Sequence, residues 1–334
     1  MKRGPYESQP TTRMDAIIAP TRDVFRVGDV LNDTFEIRGL LGQGGMGQVF
    51  DAYDRLLNRN VAIKVAWPTV GCVAVRKEAQ ALAAIRHPCI VTVYACGVHD
   101  GTEYVVIERI PGEALDTHIR RRTNGGKPFL VDEALDVLAT LADGLSVVHR
   151  AGIAHRDVKP DNIMLAPSGR VVLMDFGVFM PEFEVARGAG ASGSPAYMAP
   201  ESINGNIGAG GGFLVDVYAF GVVAFELLTG EIPFPGATVR DVLLKHMAAD
   251  APSVRERRPD VPAALDALIK QLLAKDPFER PQSMEEIAHR LRKVRDTRTS
   301  DPRLRTPAGK INVDQSPRGP GDPARTTQTR ARKP

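Results

Sequence analysis

The chain has 334 residues, of which 43% are hydrophobic and 25% charged, so it can bury one large core or two adjoining ones. Its three cysteines are an odd number without close paired spacing. This argues against a disulfide framework and a zinc site and favours a reduced, cytoplasmic setting. The formal charge of +3 is uneven, because ten Lys or Arg and four acidic residues follow residue 294. We expect no specific nucleic-acid partner, since that segment is as readily a solvated linker as a weak polyanion binder.

Both ends of the chain lack the pattern of a folded domain. Residues 1–32 mix Pro, Thr and charged residues without sustained periodicity and are predicted to form a flexible leader. Residues 295–334 form a basic, Pro/Thr-rich tail that is predicted to be disordered, because it cannot bury enough apolar surface to offset chain entropy. The most apolar stretch, residues 215–228, contains two acidic residues and is shorter than the roughly 18 to 20 apolar residues of a membrane helix. We therefore expect no membrane segment and one folded region over residues 33–294.

The first part of the folded region has the pattern of strands. Short runs rich in β-branched and aromatic residues predict strands over residues 35–41, 49–53, 61–65, 90–96 and 104–110. One helical pattern, over residues 75–85, interrupts them.

The rest of the folded region has the pattern of helices. Apolar residues recur every three to four positions after Asp132, and further helices are predicted over residues 217–228, over 264–273 and from Ser283 onward. The predicted fold class is therefore α+β. A small β-rich lobe with one helix, over about 33–110, precedes a larger helical lobe over about 111–294.

A glycine-rich motif lies between the first two predicted strands. Residues 41–49 read LGQGGMGQV, which places Gly42, Gly44 and Gly47 in the pattern G-x-G-x-x-G-x-V. Glycines at such positions let backbone N–H groups approach phosphate oxygens closely. Dinucleotide-binding folds share the spacing, but there a helix follows the last glycine, whereas a strand is predicted here. A glycine-rich hairpin turn without a ligand is the other interpretation.

Lys64 ends an apolar run, Val-Ala-Ile-Lys, on the third predicted strand. A lysine between Ile63 and Val65 can simply extend its amine to solvent. Glu78, in the middle of the predicted helix, could instead pair with Lys64 and hold the ammonium against the α and β phosphates of a nucleotide. The alternative for Glu78 is a solvated helix face.

The most informative stretch is residues 155–162, which read HRDVKPDN after a predicted helix. A loop here can direct Asp157 toward an incoming hydroxyl, while Lys159 neutralises a transferred phosphoryl group and Asn162 binds a metal ion. Asp175, in Asp-Phe-Gly, follows a predicted hairpin and is suited to Mg²⁺, which prefers oxygen ligands. Each short motif alone is weak, but the ordered set is specific.

In this order, the motifs resemble those of the eukaryotic-type (Hanks-type) serine/threonine protein kinases, particularly bacterial members. The resemblance spans about residues 35–294 and includes Ala199-Pro200-Glu201. It implies a bilobal protein kinase fold and transfer of the ATP γ-phosphoryl group to serine or threonine of protein substrates. Mg²⁺, or alternatively Mn²⁺, is the implied cofactor. Autophosphorylation through a transient homodimer is also implied.

The resemblance further implies a role for individual residues. Lys64, Glu78, Asp157 and Lys159 are catalytic, and Asn162 and Asp175 bind metal. The implied ATP-binding residues are Leu41, Gly42, Gln43, Gly44, Gly45, Met46, Gly47, Gln48, Val49, Ala62, Lys64, Glu108 and Ile110. Two implied roles are structural: Asp216 anchors the catalytic loop, and Arg280 pairs with Glu201.

Three residues are candidates for regulation. Arg156 is the implied partner of a phosphorylated activation segment, and Ser192 is a candidate phosphorylation site, although an ordinary loop serine is equally consistent with the sequence. Ser194 occupies the position of the family's hydroxyl residue that bonds the catalytic aspartate and lysine.

Two other functions are weighed against a protein kinase. A catalytically inactive scaffold is disfavoured by the complete motif set, and a small-molecule phosphotransferase by the segment ending at Glu201.

Overall fold

A computed structural model describes residues 23–44, 47–67, 79, 82–175, 195–208 and 211–300. Most of the predicted helix over residues 75–85 lies outside this part of the chain. Of its described residues, Ala79 and residues 82–83 are helical, whereas residues 84–85 are not, so the helix ends before the predicted residue 85.

The described part of the first lobe contains a six-stranded antiparallel sheet. Its strands are β1 (Val30–Leu31), β2 (Phe35–Gly44), β3 (Gly47–Asp54), β4 (Arg59–Ala66), β5 (Val93–His99) and β6 (Thr102–Glu108). Their order in the sheet is β1-β2-β3-β4-β6-β5. In β3 every second residue is buried, as expected of a strand with one face on a core. Strand β4, which carries Lys64, lies between β3 and β6.

The core of the first lobe includes two residues that precede the predicted domain boundary. Phe25 and Leu31 are buried and belong to the same apolar cluster as Ile37 and Phe50. Residues 23–31 are therefore part of the folded lobe, and the leader predicted over residues 1–32 extends too far. The sequence prediction placed them in the leader because this segment is too short to show a period.

Strand β5 begins later than predicted, and the difference has a structural cause. The expected strand covers residues 90–96, whereas β5 covers Val93–His99. Ile90 instead forms an isolated bridge with Leu173, and the backbone N–H of Val91 donates to the Leu173 carbonyl oxygen. The first β-branched residues of this run therefore join the two lobes and do not extend the sheet.

The second lobe consists of helices and a small antiparallel sheet. Its strands are β7 (Glu113–Ala114), β8 (Ile163–Leu165) and β9 (Val171–Leu173), in that order in the sheet. The described helices are α1 (Leu115–Asn124), α2 (Val131–Arg150), α3 (Pro200–Ile203), α4 (Gly212–Thr229), α5 (Val239–Ala248), α6 (Ala263–Leu272) and α7 (Met284–Ser300).

The two lobes meet at Pro111-Gly112, where the predicted boundary between them lies. Gly112 has a φ of +123°, and a Cβ atom added there would lie 2.1 Å from the carbonyl oxygen of Leu165. Only glycine fits such a close approach of two backbones. This close approach lets residues 109–112 connect β6 of the first lobe to β7 of the second.

Helix α4 is the central helix of the second lobe. By length and composition alone it could cross a membrane, but 78% of it is buried inside the protein. It packs against α2 and α6, and a Cβ atom on Gly221 would lie 2.7 Å from the Cβ atom of Leu272. The helix ends at Gly230, whose φ of +76° is typical of a helix C-terminus.

Helix α7 extends past the predicted end of the domain. Its N-terminus is capped as expected, because Ser283 Oγ accepts a hydrogen bond from the Glu286 N–H. The helix continues to Ser300, and Arg298 on its last turn is buried against Asp132 of α2. The tail predicted from residue 295 therefore starts too early, since residues 295–300 are helical.

Candidate active site

The loop between α2 and β8 is held by a fully buried carboxylate on α4. Asp216 is 0% exposed and accepts hydrogen bonds from the backbone N–H groups of His155 and Arg156, each at 2.7 Å. His149 Nε2 lies 2.8 Å from the same carboxylate. Arg156 has a φ of +65°, a left-handed conformation that costs free energy in a residue other than glycine. The anchoring role implied for Asp216 thus has a geometric basis, because its bonds hold a strained turn.

His155 connects this loop to the end of β9. Its ring is fully buried, with Nε2 2.9 Å from the Met174 carbonyl oxygen and Nδ1 3.2 Å from the Asp157 N–H. These partners require a neutral ring that donates from Nε2 and accepts at Nδ1. Burial lowers the pKa of His155 and favours that neutral form. Sequence reasoning assigned no role to this residue, although its position before Asp157 was a signal.

Asp157 is positioned by two neighbouring side chains of the loop. Lys159 Nζ lies 2.7 Å from Asp157 Oδ2, and Asn162 Nδ2 donates to the same oxygen and to the Asp157 carbonyl, each at 2.8 Å. Among the residues that the structure describes, none bonds the other carboxylate oxygen, Oδ1. The structure therefore brings together the three residues predicted for this loop.

Asn162 and Asp175 provide oxygen atoms suited to a divalent ion. Because Asn162 Nδ2 faces two acceptor oxygens, the amide oxygen points away from Asp157. The Met174 N–H donates to the Asn162 carbonyl at 2.8 Å, which brings Asp175 next to this loop. No group of three or more His, Cys, Asp or Glu side chains in the described ranges could hold a metal alone. Two protein oxygens completed by phosphates and water are typical of Mg²⁺ sites, so the residues present fit such an ion.

Lys64 lies beside Asp175, the second of these candidate metal ligands. Its Nζ atom is 3.1 Å from Asp175 Oδ1, and its side chain is mostly buried. The positive charge of Lys64 is the main cause that holds the pKa of Asp175 below its usual range, so the carboxylate is ionised at neutral pH. Glu78, the predicted counter-charge of Lys64, lies outside the described residues.

An apolar cluster joins residues of the first and second lobes. It contains Ala62 and Ile110, and Val49 packs against it, as do Met164 and Met174. The first three were predicted to bind a nucleotide, whereas Met164 was not. Met164 lies on β8, two residues after Asn162.

Two other predicted nucleotide-binding residues direct their side chains elsewhere. Glu108 pairs with both terminal nitrogens of Arg170 and with Thr92. Gln48 is 1% exposed, and its amide bonds Asp23 at 2.7 Å and the Val24 N–H at 2.8 Å. Because the side chains of Glu108 and Gln48 have these partners, any contact of the two residues with a nucleotide is made through the backbone.

The glycine-rich motif forms the ends of β2 and β3. Leu41, Gly42, Gln43 and Gly44 lie on β2, where Gly44 pairs with Gly47 of β3. Gly45 and Met46, between them, lie outside the described residues. A Cβ atom on Gly47 would lie 1.8 Å from the Val65 carbonyl oxygen, so this position requires glycine whatever the ligand.

Residues 197–201, which follow the undescribed part of the predicted activation segment, are anchored by side chains of the second lobe. Glu201, at the start of α3, forms two hydrogen bonds with the guanidinium of Arg280, at 2.6 and 2.9 Å, as the resemblance implies. The Tyr197 hydroxyl donates to Glu226 of α4 at 2.6 Å, a contact that was not predicted. Ser192 and Ser194 lie outside the described residues.

Comparison with known proteins identifies the family. Residues 35–291 match the family described as the protein kinase domain. The serine/threonine-protein kinase PrkC of Bacillus subtilis (strain 168) is 34% identical over 78% of this chain and 40% of its own length. PknB of Mycolicibacterium smegmatis is 34% identical over 86% of this chain and 47% of its own length. The kinase domain of Mycobacterium tuberculosis PknI superposes with a TM-score of 0.64 at 25% identity, over 81% of this chain and 99% of that one.

The chain therefore belongs to the protein kinase family, and the predicted bilobal fold is confirmed. Within the family, these relatives confirm the predicted resemblance to bacterial serine/threonine kinases. The chain spans less than half the length of the two curated relatives. Use of ATP with a divalent metal ion is a property of this family.

Proposed function

We propose that this protein transfers the γ-phosphoryl group of ATP to serine or threonine hydroxyls of protein substrates. The observation that carries the proposal is the geometry of Asp157, whose Oδ2 is held by Lys159 and Asn162 on a loop that Asp216 anchors. The names of the curated relatives support serine and threonine as acceptors.

Each residue has a distinct part in the proposed mechanism. Asp157 accepts the proton of the attacking hydroxyl, and Lys159 offsets the negative charge on the transferred group. Lys64 binds the α and β phosphates, with Glu78 as its proposed counter-charge. A Mg²⁺ ion, when held by Asn162 and Asp175, supplies further positive charge to the phosphates. Mn²⁺ would fit the same oxygen ligands.

The remaining functional expectations are proposals of the same kind. Autophosphorylation on Ser192 requires that two copies of the chain meet transiently, and Arg156 would then bind the new phosphate. A cytoplasmic location is consistent with the use of ATP. Its support is the odd number of cysteines, with Cys89 and Cys96 present as free thiols.

The test is a transfer assay with radiolabelled ATP and Mg²⁺, using the chain itself and a generic basic protein as acceptors. We expect label on serine or threonine with the wild type. Asp157→Asn should lower the rate by about 10²-fold or more while nucleotide binding persists. Lys64→Ala should also lose transfer.

Asp143→Asn is the matched control, because it changes a surface carboxylate that pairs with Arg292 outside the site. It should transfer phosphate at the wild-type rate. Bound nucleotide without any labelled product from the wild type would contradict the proposal and favour an inactive scaffold. Label confined to small molecules would favour a small-molecule phosphotransferase.

A further inference from the structure

Arg170 precedes β9 in the second lobe, and its guanidinium reaches two segments of the first lobe. Both terminal nitrogens donate to the carboxylate of Glu108, the last residue of β6. Nε donates a hydrogen bond of 2.7 Å to the carbonyl oxygen of Pro88. The planar guanidinium suits this arrangement, because it can bind both oxygens of a carboxylate and still offer a further donor.

The two ends of this contact belong to ordered parts of their lobes. Glu108 pairs with Val61 of β4, and its N–H donates to the Thr92 carbonyl oxygen at 2.8 Å. On the other side, the Arg170 carbonyl oxygen accepts from the Ala166 N–H at 2.9 Å, within the hairpin of β8 and β9. The ion pair therefore connects two sheets that are each held by their own hydrogen bonds.

The backbone contacts between the lobes lie at a different place. The Leu173 N–H donates to the Cys89 carbonyl oxygen at 2.7 Å, and the Leu173 carbonyl oxygen accepts from the Val91 N–H at 3.2 Å. These bonds fasten residues 89–91 to β9. Arg170 adds a direct link from β9 to β6, the strand that continues into the connection between the lobes.

The two partners of the ion pair flank the apolar cluster that joins the lobes. Glu108 lies between Ile107 and Ile110, and Arg170 lies two residues before Val172. Ile107 and Ile110 are the first lobe's part of that cluster here, and Val172 is the second lobe's part. The ion pair thus acts where the two halves of the cluster face each other.

We propose that Arg170 is a positioning residue for the nucleoside, because its ion pair with Glu108 sets the separation of the two lobes across the apolar cluster. This inference rests on the proposed function, since it assumes that the cluster binds the nucleoside of ATP. Arg170 itself does not touch the substrate. A flat ring between two surfaces gains dispersion contacts from both at one separation, and a gap of about 0.5–1 Å already loses a good part of them.

The inference predicts a loss of affinity that both partners share. Arg170→Gln removes the fork and its charge, and Glu108→Gln removes the charge of the carboxylate without altering the backbone. We expect each variant to bind adenosine about three- to tenfold more weakly, the range for a charge-assisted hydrogen bond near the surface. Because both variants break the same contact, the double variant should bind adenosine no more weakly than either single one.

The experiment is calorimetric titration of the full chain and its variants with adenosine. Arg122→Gln is the matched control, because Arg122 pairs with Glu133 at 2.8 Å and both partners belong to the second lobe. The exposure of the two arginines is similar, 26% for Arg122 and 32% for Arg170. The control should bind adenosine with wild-type affinity even if its thermal stability falls.

Thermal unfolding of each variant checks that it is folded. If Arg170→Gln does not fold, Arg170→Lys takes its place with the same expected loss, since lysine keeps the charge but cannot bind both carboxylate oxygens and the Pro88 carbonyl in the same geometry.

The outcomes separate the inference from the function on which it rests. Similar losses in both single variants, with no further loss in the double variant and none in Arg122→Gln, support the positioning role. Unchanged affinity of the Arg170 variant overturns it, as does a double variant whose loss is the product of the two single losses. The same loss in Arg122→Gln, or a wild type that binds no adenosine, also overturns it. If wild type binds adenosine but transfers no phosphate, the proposed function fails while the role of Arg170 stands.

Discussion

At the scale of single residues, the site depends on buried polar side chains whose hydrogen bonds fix the loop around Asp157. Asp216 is the clearest case, because its two carboxylate oxygens accept from His155 N–H and Arg156 N–H on a strained turn. A carboxylate suits two converging donors, since it offers acceptors only. The position of the catalytic loop thus follows from one side chain on a different element, α4.

We predict that Asp216→Asn destabilises the protein although it hardly changes the size of the side chain. One oxygen of the carboxylate becomes an NH₂ group, which faces a backbone N–H and leaves that donor unpaired. The free energy of unfolding should fall by about 1–3 kcal/mol, the cost of one buried unsatisfied group. Urea denaturation measures this loss, and the transfer rate should fall with it because Asp157 follows the same turn.

Asp260→Asn is the control for that prediction. Asp260 is also hydrogen-bonded, in its case to the side chain of Arg258, but it is 58% exposed. Exposed pairs contribute about 0–1 kcal/mol, so this variant should unfold close to wild type. If Asp216→Asn were as stable as Asp260→Asn, the turn would have some other anchor.

The sequence predicts the residues that belong to a short local motif of the catalytic site. It predicts less about residues whose role depends on contact with a residue far away in the chain. Asp157, Asn162 and Lys64 lie where their motifs indicate, because the motif spacing is local to a loop or strand. The contact of Tyr197 with Glu226 was missed for a physical reason. The two residues come from different elements, and their contact is known only once the fold is built.

At the scale of secondary-structure elements, α7 is fastened along α2 by paired charges. Arg292, Arg295 and Arg298, spaced one turn apart on α7, pair with Asp143, Asp136 and Asp132 of α2, respectively. The order of partners shows that the two helices run antiparallel. The first basic residues after position 294, Arg295 and Arg298, are therefore paired with acidic residues of α2. The charge count of the sequence could not show this pairing.

We predict that a chain ending at residue 294 is less stable than one ending at residue 300. The shorter chain loses the pairs of Arg295 and Arg298, the second of which is largely buried. Two such pairs correspond to a loss of about 1–2 kcal/mol in the free energy of unfolding. Thermal unfolding of both chains measures the difference.

Salt distinguishes this cause from a simple shortening of the helix. Ion pairs near the surface weaken at high ionic strength, so the difference between the two chains should shrink at about 1 M NaCl. The chain ending at residue 300 should match the full-length chain. A difference that does not respond to salt would show that contacts other than the exposed pair of Arg295 with Asp136 fasten the end of α7.

At the scale of the whole molecule, two ionisable groups in the second lobe have opposite effects on stability. Glu226 is partly buried on α4 beside Tyr197, and desolvation is the main cause that raises its pKa to about 7. His246 of α5 is fully buried 2.9 Å from the Tyr218 hydroxyl, and burial and then the charge of Lys275 lower its pKa to about 4. Both groups are therefore held neutral by the fold.

The sign of each contribution follows from the change in pKa on unfolding. Unfolded His246 binds a proton below its ordinary pKa of 6.5 while the folded form does not, so its contribution to stability is lost as pH falls from 6.5 toward 4. Folded Glu226 keeps its proton up to about pH 7, whereas the unfolded form releases it above 4.5. Its contribution is lost as pH rises through that range.

We predict that the two groups offset each other between about pH 5 and 6.5, and that removing either one exposes the other. His246→Gln should make the free energy of unfolding fall more steeply with rising pH than in wild type, by about 1 kcal/mol per pH unit. Glu226→Gln should change the slope by a similar amount in the opposite direction. Urea denaturation at several pH values measures both slopes, and titration of the other groups cancels in the comparison with wild type. Parallel slopes for the two variants would mean that the fold keeps neither group neutral. Slopes that differ from wild type in opposite directions would show that the second lobe combines a neutral acid and a neutral base, which keep its stability nearly constant across this range.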